Sequence, residues 1–405
     1  ERLYRVTGAG IYRDSVLVGR KPPIKQPLLN AQVVGQDSVN SIVYRDKAWF
    51  FWGDTSQLRY PLGNFSTTAA TAGLPGCGGL DPSIGIDLDY FTDEAGFTKK
   101  MVPLPDHGPV WIDGLLTVKD DSGKPRMLAH YSRMEGLAKR LERGLIVFND
   151  QGEVFDKLKQ IDLEAPLAPG GHPFQAKVVG QEYFYFPVPY PSIRVKADWK
   201  SVTDVSAYEA FTCLKGGVAF DEKNPQLDRD GGGKLRFSWK KKTAPITPRQ
   251  FEELAKAGAV RREDSTLRLT DVDSGKPIIL HGGSVYWNEY RKRWIMIGLE
   301  VLGASVLGEI WFAESAKPEG PWVHAKRIAT HHREAGGDLN KRADNQDFYN
   351  PKQHPFLDQE GGRIIYFEGT YTNSFSGNPV QTPRYEYNQV MYRLDLSDPR
   401  LKLAD

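Results

Sequence analysis

One local pattern recurs five times along the 405 residues: a polar residue, a short apolar strand, a turn carrying charge or glycine, then an aromatic-rich strand ending in polar residues. The first copy runs from Gln36 to Tyr44, turns at Arg45-Asp46-Lys47 and returns from Ala48 to Thr55. The second spans Trp111 to Leu115 and Met127 to Arg133 around Asp120-Asp121-Ser122-Gly123. The third spans His172 to Val179 and Tyr183 to Tyr190, and the fourth His281 to Trp287 and Trp294 to Glu300. The fifth spans Asn350 to Leu357 and Arg363 to Thr370. Further strands follow most of these hairpins, as in Gly308 to Ser315 and Trp322 to Ile328. Such a repeat predicts an all-β chain, a five-bladed β-propeller of four-stranded antiparallel blades. The blades fall near 30–105, 106–165, 166–245, 278–330 and 345–398 of one domain spanning 1–405. Two packed β-sandwiches would also use short, regularly spaced strands, but give no reason for one hairpin to recur five times. The long interval before the fourth copy holds a helix-like insertion, Pro248 to Ala257, behind a Thr247 N-cap. The fifth unit lacks an outer strand, which the N-terminal segment near residues 3–6 would supply, hiding the sheet edge.

Composition agrees with many strands and turns: 40 Gly, 27 Pro, 19 Phe, 18 Tyr and 9 Trp. The 53 basic and 51 acidic residues leave a net charge of +2 with no basic stripe, which argues against nucleic acid as a partner. No apolar run reaches the roughly eighteen residues of a membrane span. Cys77 and Cys213 have no metal-ligand spacing; they either form one long-range bridge or remain two thiols. Glu rather than Met at position 1 is what a removed leader leaves, so a secreted or periplasmic location is expected, although any other cut would look the same. Oligomeric state is not legible.

In a propeller, the start of each inner strand meets the end of the second strand on one face. That places Asp37, Asp113, His172, His281 and the Asn350, Gln353, His354 group beside Asp54, Tyr131, Arg133, Tyr190, Glu300, Glu368 and Tyr371. Carboxylates, aromatic rings and hydrogen-bonding side chains in one channel mouth suit a saccharide: rings stack on sugar CH faces while polar neighbours take hydroxyls.

The segment Gly308-Glu309-Ile310-Trp311-Phe312-Ala313-Glu314-Ser315, with Pro318-Glu319-Gly320-Pro321-Trp322, resembles the outer-blade signature of five-bladed propeller glycoside hydrolases of the arabinanase, xylosidase and fructosidase type. Gln36-Asp37-Ser38 to Gly53-Asp54-Thr55 is similar to the first blade of uncharacterised relatives. The Asn-Asp-Pro opening of the fructosidases is absent. The resemblance implies a glycosidase, needing no cofactor, that uses a carboxylate base, a protonated carboxylic acid and a third carboxylate that tunes the acid. Asp37, at the mouth of the first inner strand, is the candidate base or nucleophile. Glu300, after the apolar run Trp294 to Leu299, is the candidate acid, with Glu368 its rival and Asp113, beside Trp111, the third carboxylate.

Each assignment has a plainer competitor. Asp54 and Asp113 suit turns, Asp37 a strand cap, and Glu300 and Glu368 pairing with an arginine on the channel wall. The matching positions of His172, His281 and His354 suit hydrogen bonding to hydroxyls better than a metal, although a structural calcium or sodium ion in the channel is a further expectation. His331-His332 with Asp338, Asp344 and Asp347 reads as a solvated loop rather than an ion site. Trp111, Tyr131, Tyr190 and Tyr371 are the stacking candidates. Arg133, Arg194 and Arg384, if gathered on the same face, would select an anionic saccharide. Three functions follow: an inverting hydrolase of a plant or algal polysaccharide or oligosaccharide; a non-catalytic carbohydrate-binding propeller; or a lyase in which His172 or His354 with a tyrosine removes the proton alpha to a uronate carboxyl.

Overall fold

The computed structural model describes residues 1–57, 65–304, 306–331, 347–372 and 387–403. Its strands form five sheets of four or five strands, and a two-stranded ribbon pairs Gly35–Gln36 with Thr55–Ser56. In chain order, the first strand pairs of these sheets are Asn40–Tyr44 with Lys47–Trp52, Val110–Lys119 with Pro125–Glu135, and Phe174–Val178 with Gln181–Pro187. They are followed by Leu280–Asn288 with Arg293–Val301, and Asp347–Gln353 with Ile364–Thr372. All five pairs are antiparallel, and the first closes through Arg45 and Asp46, both at positive φ, as a tight two-residue hairpin turn requires.

The second strand of each pair is apolar on both faces because it packs against a neighbouring sheet on each side. In Lys47–Trp52, Phe50 and Trp52 join a core with Ile364 and Tyr366 of the fifth sheet, while Trp49 and Phe51 join one with Ile112 and Met127 of the second. Leu128 packs with Phe184 and Phe186 of the third sheet, Tyr185 with Met296 and Trp311 of the fourth, and Ile295 and Ile297 with Ile365 and Phe367 of the fifth. Five cores thus join each sheet to the next and the last to the first, the cyclic arrangement of a β-propeller. The N-terminal strand Arg2–Arg5 pairs with Asn388–Asp395 as the outer strand of the fifth sheet.

Two boundaries differ from the sequence reading. The fifth inner strand covers Asp347–Gln353 rather than reaching Leu357, because Pro355 has no N–H to offer a ladder and opens a short 3-10 turn, Pro355–Leu357. The helix expected there spans Pro248–Lys256 with a reciprocal Thr247–Gln250 capping box, and it buries Phe251 and Leu254 against Cys213, Leu235, Ile246 and Val260. Two five-residue helices, Arg13–Leu17 and Trp199–Thr203, were not foreseen. Cys77 is exposed and Cys213 buried; both are free thiols. No helix is long and apolar enough to cross a membrane among the described residues.

Candidate active site

The ends of the inner strands meet at one mouth of the ring. The backbone N–H of Asp37 donates to the Asp54 carbonyl (2.9 Å) and that of Gly53 to the Asp37 carbonyl (2.7 Å), which sets the two aspartates side by side. From the second sheet, Trp111 Nε1 donates to Asp54 Oδ1 at 2.8 Å. From the fifth, Asn350 Nδ2 donates to Ser38 Oγ at 2.5 Å, and the N–H of Ser38 donates to Thr370 Oγ1 at 2.9 Å. A Cβ on Gly282 of the fourth sheet would stand 3.5 Å from Asn350 Oδ1. Ser38 (φ 57°) and Asn350 (φ 51°) both occupy the left-handed region, a local cost accepted where the chain must aim these side chains.

Three carboxyls in this mouth are pushed upward. Burial raises that of Asp37, opposed by hydrogen bonds from Ser38, Tyr349 and Thr370. Asp54 is raised to about 7, by burial first and then by the charge of Asp37. Asp113 sits on a bulge, with Gly114 at φ 58° and the register shifting between Leu128 and His130. Its carboxyl accepts from the N–H groups of Gly114 and Gly171, and a Cβ on Gly170 would stand 2.5 Å from its Oδ2, so glycine is required there. The side chain is open to water yet ringed by protein, and this partial desolvation lifts its carboxyl to about 6.

Below the mouth lies a buried polar layer. His354 Nδ1 meets Ser41 Oγ at 2.8 Å, its Nε2 lies 3.4 Å from Glu368 Oε1, and Lys352 Nζ donates to the Tyr286 hydroxyl at 3.0 Å. Burial lowers Lys352, His354 and His172, the last also through the charges of Lys352 and His354, and raises Glu368. Gln353 takes part through its N–H to Ser284 Oγ and its amide to Asp358. No group of three or more His, Cys, Asp or Glu side chains is placed to hold a metal ion among the described residues, so the expected channel ion has no such ligand set there.

Several expected members stand elsewhere. Glu368 alternates with Ile364 and Tyr366 on the face toward the first sheet and is fully buried, so it does not reach the mouth. Glu300 shares its face with Met296 toward the third sheet; Trp311 Nε1 donates to it at 2.9 Å, and the charges acting on it come from Glu309, Arg327 and Asp271. Tyr131 and Arg133 are bound to Glu142 of their own sheet, which also pairs with Lys157. Tyr190 is buried in the core between the third and fourth sheets. Tyr371 lies under Arg2 (4.5 Å) and against the ring of His331. His281 is exposed at the start of the fourth inner strand. Arg194 pairs with Glu209 and packs over Tyr183 and Trp239. His331 joins the Gly308 carbonyl to the Tyr392 hydroxyl, and Asp347 accepts from the Leu307 N–H. Arg384, His332, Asp338 and Asp344 lie outside the described residues. The sequence reading missed Ser38, Tyr349, Thr370 and Lys352; all four adjoin residues it chose, but nothing in the sequence marks Lys352 as buried.

No family model matches the chain, and no curated protein is similar to it in sequence. Solved structures similar to it include an exo-beta-1,3-galactanase from Phanerochaete chrysosporium with galactose (6% identity, 100% of this chain and 67% of that one, TM-score 0.46). An endo-1,5-alpha-L-arabinanase from Thermotoga petrophila RKU-1 in complex with TRIS is 11% identical over 95% of this chain and 74% of that one, TM-score 0.42. A GH43_1 enzyme from Xanthomonas citri is 10% identical over 93% and 92%, TM-score 0.42.

Proposed function

We propose that the five sheets are the blades of a single propeller domain and that the protein is a glycoside hydrolase. Its substrate is a plant or algal polysaccharide or oligosaccharide, met outside the cytoplasm where such polymers occur. What supports the reading is the cluster in which Asp37 is held by hydroxyl donors beside Asp54, itself bonded to Trp111, with Asp113, a water-accessible carboxyl lifted to about 6, two residues beyond Trp111 on the same strand. Asp37 acts as general base on a water, and Asp113 replaces Glu300 and Glu368 as the acid that protonates the leaving oxygen. Asp54 fixes the Trp111 indole, whose ring is offered to the sugar face. The reading is of an inverting enzyme, which requires the two carboxyls about 6.5–9.5 Å apart.

Among the described residues a neutral sugar fits better than an anionic one, because Arg133 and Arg194 are each bound to a glutamate. The lyase reading loses support for the same reason, and because His354 is fully buried.

The test is a reducing-end and chromatographic screen on neutral and acidic oligosaccharides, with wild type beside Asp37→Asn and Asp113→Asn. Hydrolysis that falls about 10³-fold or more in both variants supports the assignment. Sugar binding without hydrolysis by the wild type makes the protein a binding module. Proton NMR of the first product anomer reads inversion directly.

A further inference from the structure

Three hydroxyls surround Asp37, and a hydroxyl can donate or accept, so their direction decides whether they stabilise a carboxylate. At Thr370 the direction is imposed. Its Oγ1 accepts from the Ser38 N–H (2.9 Å) and from Gln389 Nε2 (2.9 Å), which occupies both lone pairs and leaves its proton for Asp37 Oδ1 at 3.1 Å. The amide of Gln389 cannot be turned round, because the same Nε2 donates to the backbone carbonyl of Gln36 at 2.9 Å, a group that only accepts. Gln389 is fully buried on Asn388–Asp395, where its own N–H bonds to Thr7 Oγ1. The same logic recurs at Ser38, whose Oγ accepts from Asn350 Nδ2 and therefore gives its proton to Asp37 Oδ1.

We propose that Gln389 is a positioning residue: by fixing the direction of the Thr370 hydroxyl, with Asn350 doing the same at Ser38, it keeps Asp37 ionised as a base. The inference rests on reading Asp37 as the base, but the hydrogen-bond direction does not depend on any turnover. The other titratable groups facing Asp37 are Asp54 from the paired ribbon and Tyr349 from the fifth inner strand, the latter in turn against Tyr387, with Asp113 further along the second inner strand. Tyr349 donates to Asp37 as Ser38 and Thr370 do, whereas Asp54 and burial disfavour its negative charge, and the donors are what oppose them.

The test follows the Asp37 carboxyl carbon by ¹³C NMR across pH in aspartate-labelled protein, assigned by its loss in Asp37→Asn. Gln389→Met keeps the volume and removes the donor; its Asp37 midpoint is expected about one pH unit above wild type. Thr370→Val should give the same rise, and Asn350→Gly, which suits a left-handed backbone, a smaller one. The acid limb of the kcat/KM profile should move with the NMR midpoint, while KM changes little. An unchanged midpoint in folded Gln389→Met overturns the proposal, and should that variant not fold, an unchanged midpoint in both Thr370→Val and Asn350→Gly does so. A moved midpoint in a protein that hydrolyses no glycan leaves the inference standing and removes the hydrolase reading.

Discussion

Asp54 shows how a single side chain couples the site to stability. Its carboxyl is raised to about 7 from an ordinary 3.8, so between those pH values the folded state holds a proton that the unfolded chain has released. Its contribution is fully present below pH 3.8 and is lost as pH rises through 7. Urea unfolding at pH 4, 5.5 and 7 should therefore show stability falling with pH in wild type and a flatter dependence in Asp54→Asn; an identical slope would mean that Asp54 is ionised in the fold. The sequence named Asp37, Asp54, Trp111, Asp113 and Asn350, because each adjoins an inner strand whose place in the repeat is readable. It misled at Glu368, which carries the right chemistry at a strand end but is fully buried on a strand face turned into the core between the fifth and first sheets; Glu300 stands half-buried at its strand end, held by the Trp311 indole.

Strand alternation explains that error. Along Pro125–Glu135, alternate residues serve opposite neighbours: Leu128 faces the third sheet, while Met127, Ala129 and Tyr131 face the first. Tyr131 is thus directed to Glu142, whose side chain is 6% exposed and also holds Arg133 and Lys157. Removing one member of such a buried network leaves the others uncompensated, so Glu142→Ala should cost on the order of 3 kcal/mol in chemical unfolding. Saccharide affinity measured calorimetrically should be unchanged; a large loss of affinity would return Tyr131 and Arg133 to the binding site. Periodicity alone marks the two faces of a strand but not which neighbour each meets.

For the whole molecule, ring closure joins the two ends of the chain. Val6 N–H donates to the Gln389 carbonyl at 2.7 Å, so the strand that seals the ring also braces the one that carries the positioning amide. Deleting residues 1–7 would bare the edge of Asn388–Asp395, a template for pairing with other chains. Calorimetry should show a midpoint lower by more than about 5 °C, with aggregation on heating; an unchanged midpoint would show that the seal contributes nothing to stability. The sequence by itself determined the strands, their hairpins and the helix cap, because turn residues, alternation and capping are local. Only the tertiary structure decided which carboxyls share a mouth, which lie between sheets and which way each hydroxyl proton points. Those properties come from contacts between residues hundreds of positions apart, such as Ser38 with Asn350, and depend on burial that no local pattern encodes.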